Sequence, residues 1–448
     1  MRKFFGTDGV RGTVNQAPMT AEFALRLGRA AGYVLTRHLS HQPHILIGKD
    51  TRLSGYMIES ALCAGLTSQG MNVLLVGPVP TPAVAYLTRS LRADAGVVLS
   101  ASHNPSEDNG IKFFAADGFK LDDGIEHEIE RRLEKLPPLP GAAGVGKAFR
   151  VDDARGRYIE FCKASLPRGL RFDGLKVVID CANGAAYDVA PALFAELGCD
   201  VTAMHVSPDG HNINHACGST HPESMCEKVI ETGADIGFAL DGDADRLIAC
   251  DTNGHLIDGD RVIAILAEHQ QRHGTLSGGG VVTTLMSNMG LERYLTSLGL
   301  TMHRADVGDR YVLEMMRETG CNLGGEPSGH IIMLSCNTTG DGLITALQLL
   351  CAMCDQGRPV GELAADMLLF PQSLWNIRLS ERRDVLAMAE VQAAIADAEA
   401  ALGAAGRVNV RMSGTEPKLR IMVEAEHASL VQEIGGQLLQ RIQTIVQD

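Results

Sequence analysis

The chain has 448 residues, 45% of them hydrophobic and only 4% aromatic, with 49 glycines and a mean hydropathy of +0.03. At about 100–200 residues per domain this length predicts two to four domains, and the apolar content excludes a globally disordered chain. Forty basic against 54 acidic residues leave a net charge of −14, which excludes a non-specific nucleic-acid or anionic-membrane binder but not a small anionic substrate met by a few placed arginines.

The segment Met1–Gly12 carries no apolar core before Thr7 and Asp8, so no signal peptide is expected. No run approaches about 18 apolar residues, so no membrane span is expected either. Eleven cysteines, an odd number spread over a long chain, predict a reduced, cytoplasmic protein. A strand–helix–Gly–strand pattern then recurs three times. It runs through His44–Lys49, Tyr56–Gln69, Gly70 and Met71–Val76. It returns in Leu175–Asp180, Ala186–Leu197, Gly198 and Cys199–Met204, and again in Gly280–Leu285, Met289–Leu298, Gly299 and Leu300–His303. This is the pattern of a βαβ crossover in a mostly parallel sheet. Leu136–Gly146, rich in Pro and Gly, reads as a loop. The last segment differs: a strand at Ser373–Leu379, a helix at Asp384–Leu402, a strand pair at Arg407–Met412 and Leu419–Ala425, and a closing helix at Leu430–Val446. The prediction is an α/β chain of three related α/β domains with mixed, mostly parallel sheets plus a smaller C-terminal α+β domain. The expected domains are 1–155, 156–257, 258–369 and 370–448.

Each α/β unit holds a later strand that runs into an unusual loop. Ala95–Ser100 leads into Ala101–Pro105 (ASHNP), Ala234–Leu240 into Asp241–Arg246 (DGDADR), and Cys321–Leu323 into Gly324–His330 (GGEPSGH). Ligands of open parallel sheets sit beyond the carboxyl ends of the strands, so three repeated loops are expected to converge. Alternation places the carboxylates of Asp241, Asp243 and Asp245 on one side of an extended segment, where a hard cation such as Mg²⁺ offsets their repulsion. An EF-hand loop is excluded, because Arg246 and Thr252 stand where its Gly and Glu belong. A solvated acidic turn and an aspartyl nucleophile of a phosphatase-like site are the alternatives. Ser102 lies outside any Gly-x-Ser-x-Gly elbow, and a serine in a loop is most often a turn residue; as a nucleophile it needs a base or prior phosphorylation. In Arg411–Arg420 (RMSGTEPKLR), two guanidinium groups, two hydroxyls and a glycine suit a phosphate cradle; two solvent-facing arginines on paired strands are the bland reading.

Three other patterns carry no chemistry. Gly141–Lys147 has P-loop spacing, but Ala148 stands where a metal-binding hydroxyl belongs. His211, His215, Cys217 and His221 fit no standard zinc spacing, and Cys351 and Cys354 sit in an apolar helical run.

Taken together, ASHNP at 101–105, DGDADR at 241–246, GEPSGH at 325–330 and RMSGTEP at 411–417 resemble the α-D-phosphohexomutase family, in order and across nearly the whole chain. FGTDGVRG at 5–12 and NINHACGSTHP at 212–222 resemble its bacterial amino-sugar branch, with Pro327 standing where that branch carries Gln. The resemblance implies four domains around a central cleft, the last a mobile lid. It implies a phosphoserine at Ser102 and Mg²⁺ held by Asp241, Asp243 and Asp245 with a phosphate oxygen on Ser102. Glu326 and Ser328 would take sugar hydroxyls, and Arg411, Ser413, Gly414, Thr415 and Arg420 the phosphate that is not transferred. Arg11, Lys112, Arg246 and His330 would lie near the moving phosphoryl group, Lys112 and His330 as proton carriers, and Gly308 and Asp309 would contact the ligand. The implied activity interconverts glucosamine 6-phosphate and glucosamine 1-phosphate through glucosamine 1,6-bisphosphate, feeding UDP-N-acetylglucosamine and the cell wall. The expected partner is a phosphosugar, with no nucleic acid, no membrane and room for a homodimer. A phosphomannomutase/phosphoglucomutase, a non-catalytic phosphosugar-binding protein and a phosphatase are the competing readings.

Overall fold

The computed structural model describes residues 3–6, 8–379, 385–412 and 417–447. Its first sheet contains β1 (Val10–Thr13), β2 (His44–Lys49), β3 (Asn72–Pro78), β4 (Ala95–Leu99), β5 (Asp108–Ala115) and β6 (Ala148–Arg150), in the order β1-β5-β4-β2-β3-β6. The neighbours β4-β2-β3-β6 run parallel, whereas β5 is antiparallel to both β4 and β1. All five residues of β4 are buried, as expected of a strand covered on both faces. The helix Ala21–Thr36 is capped by the Thr20 hydroxyl, which accepts the Phe23 N–H, and buries Ala24, Leu27, Ala31 and Val34 at helical spacing. It meets the helix Ser54–Thr67 at close range. A Cβ on Gly28 would stand 2.5 Å from the Leu62 carbonyl oxygen, and one on Gly65 2.3 Å from that of Leu25.

The second sheet contains β7 (Lys176–Asp180), β8 (Asp200–Met204), β9 (Ile236–Leu240), β10 (Leu247–Cys250) and β11 (Leu256–Ile257), in the order β11-β10-β9-β7-β8. The third contains β12 (Gly280–Thr284), β13 (Thr301–Ala305), β14 (Leu323–Gly325) and β15 (Ile331–Met333), in the order β13-β12-β14-β15. One rule governs all three sheets. β4, β9 and β14 each pair parallel with an inner strand (β2, β7 or β12) and antiparallel with the strand that follows (β5, β10 or β15). The three unusual loops are therefore the turns at the carboxyl ends of equivalent strands.

The C-terminal sheet is antiparallel throughout: β16 (Gln372–Arg378), β17 (Gly406–Met412) and β18 (Lys418–Ala425), in the order β16-β18-β17. Ile377, Leu419, Ile421 and Val423 pack with Val391 and Leu402 of the helix Ala389–Leu402 and with Val431, Leu438 and Ile442 of the helix Ala428–Gln447. The first of these helices starts at Ala389, after a 3₁₀ turn at Val385–Ala387; its expected start at Asp384 lies outside the described residues. The chain divides into two compact units, Met1–Thr284 with His303–Ala364, and Leu285–Met302 with Ala365–Asp448. Among the described residues no helix is long and apolar enough to cross a membrane.

Candidate functional site

Ser102 follows β4 in a left-handed conformation (φ 52°) and is buried. That conformation disfavours an L-residue, and the surroundings over-determine it. The Ser102 N–H donates to Ser100 Oγ (2.9 Å), while its carbonyl accepts from Asn214 Nδ2 (2.8 Å) and Arg52 Nη2 (3.2 Å). The same two donors reach the Asn104 carbonyl at 2.9 and 2.5 Å. Arg52 is itself fully buried and paired with Asp50. Thus a guanidinium fork and an amide clamp the loop at two carbonyls, and the hydroxyl is aimed into the aspartate set: Ser102 Oγ donates to Asp241 Oδ2 at 2.5 Å.

Asp241, Asp243 and Asp245 lie between β9 and β10, all buried, each offering an oxygen within 4.8 Å of the others. Burial, then the charges of Asp245 and Asp243, push the Asp241 carboxyl well above the usual carboxylate range. Asp243 Oδ2 accepts from Thr81 Oγ1 (2.7 Å) and Lys112 Nζ (3.2 Å), but Asp243 Oδ1 and Asp245 Oδ1 are buried without hydrogen-bond partners. Two orphaned hard oxygens, clustered with the Asp241 carboxylate, fit a divalent cation.

Basic groups surround this set. Lys112, on β5, stands 3.0 Å from Asp8, 3.2 Å from Asp243 and 3.9 Å from Asp245. Burial opposes its charge, but Asp243 and Asp8 hold its ammonium well above the ordinary lysine value. Arg246 and His330 are joined by an antiparallel bridge between their backbones, which brings the second and third loops together. His330 Nδ1 lies 3.5 Å from Asp245 and its Nε2 3.6 Å from Asp309. Burial lowers its affinity for a proton, yet Asp245 and Asp309 outweigh that and raise its pKa to about 9. His103, with its Nδ1 3.4 Å from Ser102 Oγ, moves the other way, to about 4, through burial and the charges of Arg246 and Arg11.

These groups open onto a cavity of about 460 Å³ lined by Asp8, Arg11, Ser102, Asp245, Arg246 and Glu326, with Phe4, Gly308, Asp309 and His330 also in the wall. The Glu326 carboxylate accepts the Gly308 N–H at 3.2 Å and is shifted upward by burial. Ser328 belongs to the same loop, but its hydroxyl, buried and without a partner, is not in the cavity wall. In the C-terminal unit Arg411 on β17 and Arg420 on β18 are directly opposed in register. Burial and then Arg420 lower the Arg411 pKa, and Arg420 Nε is buried without a partner. Two guanidinium groups opposed in register suit an anion, and no ion pair neutralises either of them among the described residues. Ser413, Gly414 and Thr415 lie outside the described residues.

Four participants went unnoticed in the sequence. Asp8 sits inside the FGTDGVRG motif at 5–12, where its charge beside Arg11 is a readable signal. Lys120, whose Nζ bridges Asp8 and Asp309 at 2.5 Å each, has no local signal, and neither do Arg52 and Thr81. The rejected P-loop segment forms a short 3₁₀ turn (Ala142–Gly144) before the exposed β6. Of the rejected histidine and cysteine set, Cys217 instead neighbours Asp180 and His205.

Four family models match in succession. The α/β/α domains I, II and III of phosphoglucomutase/phosphomannomutase match residues 2–138, 157–254 and 258–369, and the C-terminal domain of that family matches 374–440. A phosphoglucosamine mutase of Paracoccus denitrificans is 56% identical over 435 residues, covering 97% of each chain. The crystal structure of a phosphoglucomutase/phosphomannomutase family protein from Burkholderia thailandensis superposes with a TM-score of 0.82 at 25% identity, covering 98% of this chain and 97% of that one. The Aspergillus fumigatus N-acetylphosphoglucosamine mutase, solved with GlcNAc-6P and magnesium, shares the fold at a TM-score of 0.67 and 18% identity, covering 99% of this chain and 96% of its own.

Proposed function

Because the chain belongs to the phosphoglucomutase/phosphomannomutase family, we propose that it interconverts glucosamine 6-phosphate and glucosamine 1-phosphate by way of a phosphoserine at Ser102. The observation that carries this reading is the Ser102 hydroxyl, buried and held 2.5 Å from Asp241 within the aspartate set. The choice of amino sugar is supported by the 56% identity to a phosphoglucosamine mutase over nearly the whole chain.

Phospho-Ser102 donates its phosphoryl group to O1 of the 6-phosphate; the Ser102 Oγ–P bond breaks as the O1–P bond forms. The resulting glucosamine 1,6-bisphosphate turns over in the cavity, and its 6-phosphoryl group returns to Ser102, releasing the 1-phosphate. Asp241, Asp243 and Asp245 would hold Mg²⁺, which when bound supplies positive charge against the phosphoryl oxygens. Arg11, Arg246 and Lys112 add fixed charge around the same oxygens. Lys112 and His330 carry the protons that leave and rejoin the exchanging hydroxyls. Glu326 takes sugar hydroxyls, with Ser328 in the same loop, and Gly308 and Asp309 contact the ligand across the cavity. Arg411, Ser413, Gly414, Thr415 and Arg420 take the phosphate that is not being transferred, in either orientation of the sugar. Forked guanidinium groups and backbone donors accept both orientations more readily than a rigid cage does.

Ser102→Ala removes the phosphoryl carrier and abolishes interconversion; undiminished turnover by the purified variant would falsify the assignment. Initial rates of the fully phosphorylated enzyme on glucosamine, glucose and mannose phosphates test the sugar. A clear preference for glucose or mannose moves the activity to a phosphoglucomutase or phosphomannomutase and leaves the phosphoserine chemistry in place.

A further inference from the structure

A second cavity, of about 700 Å³, lies apart from the catalytic one and shares no lining residue with it. Its wall includes His269 and His273, at the end of the helix Gly259–Arg272, and Asp355, in the last turn of the helix Gly342–Gln356. One ligand atom from each of these three residues lies within 4.8 Å of the other two. His269 Nδ1 is 3.7 Å from one Asp355 oxygen, and His273 Nε2 is 3.5 Å from the other. Both separations exceed hydrogen-bond range. They lie close to the roughly 3.4 Å edge between two ligands of a tetrahedral zinc ion with bonds of about 2.0–2.1 Å, each imidazole facing its own Asp355 oxygen.

Two further features point to a cation. His269 is only 8% exposed, yet its Nδ1 is buried with no hydrogen-bond partner, a cost that a native site normally avoids. In His273, Nδ1 lies 2.8 Å from the His269 backbone carbonyl. As a donor there it leaves the Nε2 lone pair facing Asp355, the arrangement of ligating histidines fixed by a second hydrogen bond. We propose that His269, His273 and Asp355 form a binding site for a transition-metal dication of the Zn²⁺ class, with its remaining coordination position open to the cavity. Two imidazoles and a carboxylate favour such an ion over Mg²⁺, which prefers an all-oxygen shell.

The location suggests what the ion does. The Gly259 N–H donates to the Pro327 carbonyl of the third catalytic loop, and the Gly342 N–H to the Ala244 carbonyl of the aspartate loop, both at 3.0 Å. The ion thus fastens together the far ends of two helices, about 15–20 Å along their axes from the ends that brace catalytic loops.

The test is a Zn²⁺ titration of the full chain in excess Mg²⁺, which competes for the aspartate loop, followed by calorimetry and by melting temperature. One equivalent of Zn²⁺ should bind and raise the melting temperature. His273→Gln and Asp355→Asn, whose side chains are 45% and 38% exposed, should each weaken that binding at least about tenfold and remove the thermal shift. Their zinc-free melting temperatures should stay close to that of the parent, reporting an intact fold. Absence of zinc binding, or equal binding by parent and both variants, overturns the proposal. Ser102→Ala leaves this titration unchanged, so the result is independent of the catalytic assignment.

Discussion

A serine at φ 52° carries a backbone cost of about 1–3 kcal/mol, and Arg52 and Asn214 meet it by holding the carbonyls on either side of the loop. Glu130 does comparable work on the segment ahead of β1. Its carboxylate accepts the backbone N–H groups of Lys3, Phe4 and Phe5 at 2.6–3.1 Å, fixing the segment that sets Phe4 in the cavity wall. Burial raises its pKa, but the donors from Phe5, Phe4 and Lys3 outweigh burial and leave it below the ordinary glutamate value. A depressed folded-state pKa means stability that is fully present above the unfolded value of about 4.3 and lost as pH falls through the folded value. Glu130→Gln is therefore expected to cost about 1–3 kcal/mol at pH 7. Urea titrations from pH 7 to 3 should show the gap between parent and variant closing below about pH 4; a constant gap would contradict this role.

At the scale of elements, the repeated pairing of β4, β9 and β14 places a tight turn at each carboxyl end, and close backbone approach locks the turns together. Gly242 shows the tolerance. A Cβ there would stand 2.7 Å from the Ser102 carbonyl oxygen and 2.8 Å from Asn214 Nδ2. Gly242→Ala should push the serine loop away from the aspartates, and a displacement of about 1 Å can cost about 10²-fold in rate. The expected signature is a fall in kcat with near-normal far-ultraviolet dichroism; kcat equal to that of the parent would show that the loops move independently. The apolar runs of β2, β4 and β9 were legible because strands covered on both faces admit little else. The antiparallel partners β10 and β15 were not, since a hairpin partner that short has no period of its own.

On the scale of the molecule, the second compact unit joins Leu285–Met302 to the C-terminal segment, a stretch that includes the helix Met289–Ser297, the connection from β12 to β13 in the third α/β repeat. A buried charge explains the attachment. Glu424 is fully buried, accepts the Met289 N–H at 2.8 Å and pairs with Arg407 at 2.6 Å; Arg407 also donates to the Leu285 and Ser287 carbonyls. Arg407→Ala removes the guanidinium paired with the buried Glu424 carboxylate, a defect worth about 3–5 kcal/mol. The sole tryptophan, Trp375, lies on β16 of this unit against Gly435. Its fluorescence in urea should report the loss directly, and an unchanged midpoint would show that the pair contributes nothing.

The sequence by itself determined the repeated α/β character, the antiparallel nature of the last segment, and three loops with their serine, aspartates and glutamate, because periodicity, glycine stops and charge spacing are local properties. Only the tertiary structure decided which distant groups complete the site. Arg52 grips Ser102 across 50 positions, Thr81 reaches Asp243 across 162, and Lys120 bridges to Asp309 across 189. The same holds for His269, on the helix Gly259–Arg272, His273, just past its end, and Asp355, 82 residues beyond His273. Such pairings follow from how sheets and helices pack. Packing is fixed by the summed burial of the whole chain, which no single stretch of residues encodes.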